Sequence, residues 1–277
     1  MIELSTDVLH RYDRFSIYNS PYPAHDSGCA IDLYADSEES IAPVSGTVLE
    51  TRTVRCPDRS YAVTEDFLIL IDCGTHIARI LHVDPDVEAG EEVSIGSPLG
   101  TLVRSGFFGR WVDNHVHLGF RNPEQNLQRA SGSLPIDPHV SITGVEWDGT
   151  GTVTETGPTH IQLDSPSYDG RGFAALASDE GIPLDGGLPH YNGGGTLQPT
   201  SEEISFLGTT VGESDGRTVG WRDVAVYANE KRATGLSLFA ARDPVGAKIV
   251  FHKGHEFSVG DHVEIGIEPT DDPIRLG

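Results

Sequence analysis

The chain has 277 residues, and its 42 acidic side chains outnumber 19 Lys and Arg to give a formal net charge of −23. A surface of that sign repels phosphate backbones and anionic lipid, so nucleic acid and membranes are excluded as expected partners. No apolar run reaches the roughly 18 residues needed to span a bilayer.

The composition is 37% hydrophobic, enough for a real core. The 32 Gly and 17 Pro cut the apolar residues into short runs, which points to an all-β chain. Lysine occurs only at Lys231, Lys248 and Lys253. Dispersed acidity with so little lysine resembles proteins of salt-loving archaea; at molar salt the Debye length is about 3 Å and self-repulsion is screened. Cys29, Cys56 and Cys73 form no Cys-x-x-Cys and cannot close a disulfide framework. Met1–Asp7 has neither a basic nor an apolar leader segment, so the expected location is the cytoplasm.

Residues 1–24 carry Tyr12, Phe15, Ile17, Tyr18 and Tyr22, too many aromatic and aliphatic anchors for a free tail. Ala30–Tyr34 reads as a short strand with Asp32 inside it. An acid in an apolar strand is costly unless paired, hydrogen-bonded or metal-bound. Ile41–Glu50 reads as an apolar segment, a Ser-Gly turn and a second strand. Residues 51–66 are polar and read as a loop. Phe67–Asp72 is a continuous apolar run and reads as a central strand. His76–Val83 is another, with His82 at its end. After a glycine-punctuated hairpin (residues 87–102) and an aromatic loop (residues 104–114) comes Asp113-Asn114-His115-Val116-His117-Leu118. On a strand, His115 and His117 point to one face while Val116 and Leu118 turn to the core. Two neighbouring imidazoles suit a metal site or a metal ligand beside a base.

Pro123, Pro135 and Pro138 interrupt the following stretch, in which residues 125–129 read as a helical turn. The expected domain boundary lies near 140, giving domains 1–139 and 140–277, the second again β-rich. Its strands are expected at 151–154, 159–163, 224–227, 236–239, 248–251 and 262–267. Asp185–Gly195, with its run of glycines around His190, reads as a long flexible loop. That loop is a candidate cover for a neighbouring site. The other histidines read as surface or locally hydrogen-bonded groups.

Taken together, residues 25–121 resemble the lysostaphin-type (LytM-type) zinc metallopeptidases. The likeness rests on Asp32 in a short strand, Ala42-Pro43-Val44-Ser45-Gly46-Thr47-Val48, the strand ending in His82, the hairpin Gly90–Gly100, and His115-x-His117-Leu118. The resemblance implies the β scaffold called the duplicated hybrid motif, holding zinc. It makes Asp32 and His117 metal ligands. It makes His115 the histidine that acts on the attacking water, and His82 the second catalytic histidine, which stabilises the oxyanion. One position departs. Where the family has its first ligand, a histidine four residues before the aspartate, this chain has Gly28. His25 lies seven residues before Asp32, an odd offset that an unbroken strand would turn to the opposite face. A bend at Ser27-Gly28 would bring it back, and Cys29 is a second candidate.

The expectation is therefore a zinc-dependent hydrolase cleaving a peptide or other amide bond in an unknown substrate. Its metal would be held by His25, Asp32 and His117, with His82 and His115 catalytic. The alternative is a non-catalytic relative with a decayed metal site, acting as a binding module. A third reading is a sugar-phosphotransferase-like domain carrying phosphate on His82; it lacks the family's second histidine on the neighbouring strand.

Overall fold

The computed structural model describes residues 1–242 and 245–276. It is almost entirely β, as the glycine and proline spacing requires. Helix is limited to two single turns among the described residues, Thr6–Leu9 and Pro23–Asp26. Among the described residues, no helix is long and apolar enough to cross a membrane.

The chain divides into two compact units. The first comprises Met1–Phe15 and Cys29–Val140; the second comprises Ser16–Gly28 and Ser141–Gly277.

In the first unit, an antiparallel sheet runs Ala30–Tyr34, Val116–Arg121, Ile77–Leu81, Glu65–Asp72, Gly46–Arg55 and Glu92–Val93. Ile31, Ile69, Ile80 and Leu118, alternating with the site residues along these strands, are fully buried. On the opposite face Leu68, Leu70 and Ile77 pack with Val54, Leu81 and Leu127. With apolar neighbours on both faces, the central strands read as unbroken apolar runs rather than alternating ones. A smaller sheet places Pro98–Leu102 between Glu39–Ile41 and Val83–Pro85. Ile2–Ser5 pairs in parallel with Ile136–His139, so the first residues are tied down as their apolar content demands.

Three local expectations change. The loop expected over 51–66 is shorter, because strands extend to Arg55 and resume at Glu65. Arg52, Thr53, Val54 and Arg55 stay in register with Leu68, Phe67, Asp66 and Glu65, and ladder hydrogen bonds outweigh the polar composition. Residues 125–129 form turns rather than a helical turn. Asn126 Oδ1 accepts the Gln128 N–H, a side-chain turn that competes with helix. Buried Arg79 and Arg121 hold that stretch through its carbonyls at Leu127, Arg129 and Ala130. The strand expected over residues 76–83 ends at Leu81, and Val83–Pro85 pairs instead with residues 100–102.

The second unit is an antiparallel sheet of eleven strands among the described residues, with Leu184–Leu188, Gly235–Leu238, Lys248–Val250 and His160–Leu163 at its centre. Its core holds Ile161, Leu184, Leu188, Ile204, Phe206, Val211, Ile249 and Val263. Five of the six strands expected here are found with their ends shifted by up to three residues. The sixth, Lys248–Val250, is one residue shorter than expected.

Asp185–Gly195 is not a flexible loop. Leu184–Leu188 and Gly193–Thr200 pair as a buried hairpin. The glycines are there to leave room for rings. A Cβ on Gly194 would lie 2.3 Å from Trp221 Cζ2, and one on Gly195 would lie 2.1 Å from Tyr18 Cδ2. His190 sits in the turn of that hairpin, fully buried, its ring 4.5 Å from Tyr191.

Candidate metal centre

Cross-strand register builds the site. Directly opposed residues on antiparallel strands share a face. Asp32 opposes His117, His117 opposes Leu81, and Leu81 opposes Leu68. Asp32 and His117 therefore belong to one row across the sheet, and His117 Nδ1 lies 2.9 Å from Asp32 Oδ1. Two residues further along, Tyr34 and His115 make the next row, their rings 4.8 Å apart.

His82 joins that row because the strand breaks there. Its φ is +72°, a left-handed conformation that costs a non-glycine residue on the order of 1–3 kcal/mol. The cost is met by Asp66, which accepts the His82 backbone N–H at 3.0 Å and the His82 Nδ1–H at 2.6 Å. Asp66 is fully buried and also accepts Ser105 Oγ–H at 2.6 Å and the Phe67 N–H at 2.7 Å. Burial works to raise its pKa, but His82, Ser105 and the Phe67 N–H together hold it below the ordinary carboxylate value. Asp66 is an ionised brace for His82.

His115 lies just before the Val116–Arg121 strand and is buried. Its Nδ1 is 2.9 Å from the Asp113 carbonyl, which can only accept, so Nδ1 carries the proton. Burial pushes its pKa down to about 4 against the opposing pull of Asp32. The ring is neutral, and its Nε2 lone pair faces Asp32 Oδ1 at 3.5 Å. Two acceptors so placed call for a cation between or beside them.

His25 lies on the Pro23–Asp26 turn, which Pro23 starts and Gly28, at φ +64°, ends. The odd seven-residue offset is resolved by this turn. His25 is buried, with Nδ1 2.6 Å from the Ile17 carbonyl, so its Nδ1 also carries a proton and Nε2 is the nitrogen left to act as a ligand. His25, Asp32 and His117 each offer a ligand atom, and these atoms all lie within 4.8 Å of one another. Such a group could hold a metal ion. Two imidazoles and a carboxylate are a donor set suited to zinc. The backbone carbonyl on the outer nitrogen of His25 is a usual support for a ligating histidine. Cys29, the other candidate for the first position, is buried and does not belong to this group.

Aromatic rings surround the histidines within the first unit. Phe108 lies 4.4 Å from His115 and 4.6 Å from His82, and Tyr34 lies 4.8 Å from His115. His82 and His115 are 5.2 Å apart, His82 and His117 5.7 Å, all centroid to centroid. Arg104 fixes the aromatic loop by donating to the carbonyls of Gly109, Arg110 and Val112. Arg14 stacks on Tyr34 at 4.3 Å and pairs with Asp113.

Among the five residues expected from the sequence, His25, Asp32 and His117 come together as a group that could hold a metal ion, and His82 and His115 pack beside His117 and Asp32. Sequence reasoning missed Asp66. It sits at the polar end of an apolar run, where a solvated strand terminus is the ordinary assignment, and only its hydrogen bonds to His82 reveal it. His190 belongs to the second unit, and its packing there against Tyr191 gives no support to a covering role.

The solution structure of lysostaphin is similar over 89% of this chain and 96% of its own, at 14% identity and a TM-score of 0.29, a level too low to assign an activity or a residue's role. No curated protein matches. Residues 3–138 match the domain of unknown function DUF8155 N-terminal domain, and residues 143–268 match the DUF8155 C-terminal domain. The two matches follow one another along nearly the whole chain, which thus belongs to the DUF8155 family.

Proposed function

We propose that the chain is a zinc-dependent hydrolase of an amide bond, its metal held by His25, Asp32 and His117. The observation that carries this reading is the common orientation of the buried histidines. His25, His82 and His115 each commit Nδ1 to a fixed oxygen acceptor, at Ile17, Asp66 and Asp113, which makes Nε2 the reactive nitrogen of each ring. A zinc ion in the group would polarise a carbonyl and make a water acidic near neutral pH.

The two remaining histidines differ in what they can do with a proton. His82 donates its Nδ1–H to the buried Asp66 carboxylate, which leaves Nε2 as the free nitrogen and offsets the charge that follows when Nε2 takes a proton. It is the residue suited to take a proton from the attacking water and to give it to the leaving nitrogen, or to stand as a cation beside the developing oxyanion. His115 is buried and neutral at physiological pH. It suits the role of an acceptor that orients the water. Phe107, Phe108 and Tyr34 limit water around both rings.

The test is elemental analysis of protein purified in high KCl without added metal, paired with peptide-hydrolysis assays, on the native chain and on His25→Ala and His117→Ala. About one zinc per chain, lost in both variants together with hydrolysis, is the expected result. Zinc binding without hydrolysis of any peptide library would favour the binding-module reading. A native chain that takes up no zinc would end the proposal.

A further inference from the structure

We propose that Asp185 is a positioning residue for the ligand His25; this rests on the zinc-site reading of His25, Asp32 and His117. The connection is one peptide plane: the Ile17 carbonyl accepts His25 Nδ1–H at 2.6 Å, and the Tyr18 N–H of the same rigid plane donates to Asp185 Oδ2 at 3.1 Å, beside the Ile17 N–H at 2.6 Å. The orientation of that backbone is thus set by Asp185 on one side and read by His25 on the other.

Asp185 has no solvent exposure. Its Oδ2 also accepts the Tyr18 N–H at 3.1 Å, and its Oδ1 accepts Ser16 Oγ–H at 2.5 Å. Ser16 Oγ in turn accepts the Asn19 N–H at 3.0 Å. The segment 16–19 curls round one carboxylate, with consecutive backbone N–H groups aimed at it as in an anion nest. A fully buried acid is a costly way to hold such a segment, since apolar packing would do so without desolvating a charge. What the carboxylate adds is direction: it fixes where the Ile17 carbonyl points, and through it which nitrogen of His25 carries the proton. Tyr18 and Asn19 are anchored separately. The Tyr18 ring fills the space left by Gly195, and Asn19 Nδ2 donates to Ser237 Oγ at 2.8 Å and to the Leu238 carbonyl at 3.1 Å. Those contacts hold the segment without touching the backbone of Ile17.

That separation supplies the control. In Asp185→Asn, the charge is lost and one oxygen becomes an N–H₂ donor, so the hold on the Ile17 and Tyr18 N–H groups weakens to that of a neutral acceptor and the peptide plane between them is freer to turn. Zinc affinity, measured by competition with a chromophoric chelator, is expected to fall by about 10- to 100-fold. In the metal-free protein, nitrogen-15 NMR of the histidine rings is expected to show His25 as the Nδ1–H tautomer in the native chain and as a mixture in Asp185→Asn. Ser237→Ala, which loosens Asn19 alone, is expected to lower stability while leaving zinc affinity and the His25 tautomer unchanged. If Asp185→Asn does not fold, Ser16→Ala is the substitute, with a smaller fall in affinity in the same direction. A folded Asp185→Asn with zinc affinity within about twofold of native and an intact His25 Nδ1–H would overturn the inference. A native chain that binds no zinc would remove the proposed function instead, and the tautomer comparison would still decide the role of Asp185.

Discussion

At the scale of single residues, charge placement decides more than the presence of a histidine. His82 and His115 have rings 5.2 Å apart but opposite electrostatic settings, one braced by an ionised acid and one desolvated. Asp66→Asn should therefore reduce amide hydrolysis by about 10²- to 10⁴-fold while zinc content stays at the native level. Loss of zinc together with activity would mean that Asp66 supports the metal rather than the proton. His190 gives a second prediction, on stability. Burial lowers its pKa to about 3 from an ordinary 6.5, so the fold accepts only the neutral ring. The unfolded chain binds the proton first. The contribution is whole above pH 6.5 and drains away as pH falls from there towards 3, by up to about 5 kcal/mol at the acid end. Asp185 has the opposite sign: burial raises it to about 6, so its contribution is whole below 3.8 and is lost as pH rises through 6. Urea unfolding between about pH 7 and pH 4 should show a flatter acid limb in His190→Gln than in the native chain. Parallel curves would remove His190 as the cause.

At the scale of elements, the glycine-rich hairpin shows how composition misleads. A run of Gly around His190 looks like a loop because glycine usually marks backbone freedom. Here it marks crowding, since Trp221 and Tyr18 occupy the places where side chains would be. Gly194→Ala should cost about 1–3 kcal/mol in denaturant unfolding, because neither neighbour nor backbone can yield without repacking. Gly220→Ala, on an exposed strand position with nothing within 4 Å of the added Cβ, should stay within about 0.5 kcal/mol of native. Equal costs at the two positions would refute the crowding account. The same contrast explains what could be read in advance. Strands bounded by apolar content, such as Ala30–Tyr34 and Phe67–Asp72, were legible because their burial is written in their own residues. So was the His115-x-His117 pair, since period two fixes its face. Asp66 and Asp185 were not legible. Each acts through a partner 16 or 169 residues away, and one sequence holds no trace of such a pairing.

At the scale of the whole molecule, a net charge of −23 on 277 residues is a standing repulsion. Shortening the Debye length from about 10 Å at 0.1 M to about 3 Å at 1 M should relieve it. The melting temperature is expected to rise by at least about 4 °C between roughly 0.1 and 2 M KCl; a flat response would show that the acids are already compensated within the fold. The division of the chain has a consequence of another kind, in time. Ser16 leaves the ribosome 169 residues before Asp185, the acid that holds it. At the usual pace of synthesis that interval is on the order of 10–30 s. Throughout it, Asp32 and His117 can already be paired across their strands, while the Ile17 carbonyl that holds His25 lacks the acid that orients it. The nascent chain thus spends most of its synthesis with an unfinished site. On the proposed function, completion of the metal centre is then a late event, and a chain truncated before residue 185 is expected to bind zinc more weakly than the native chain.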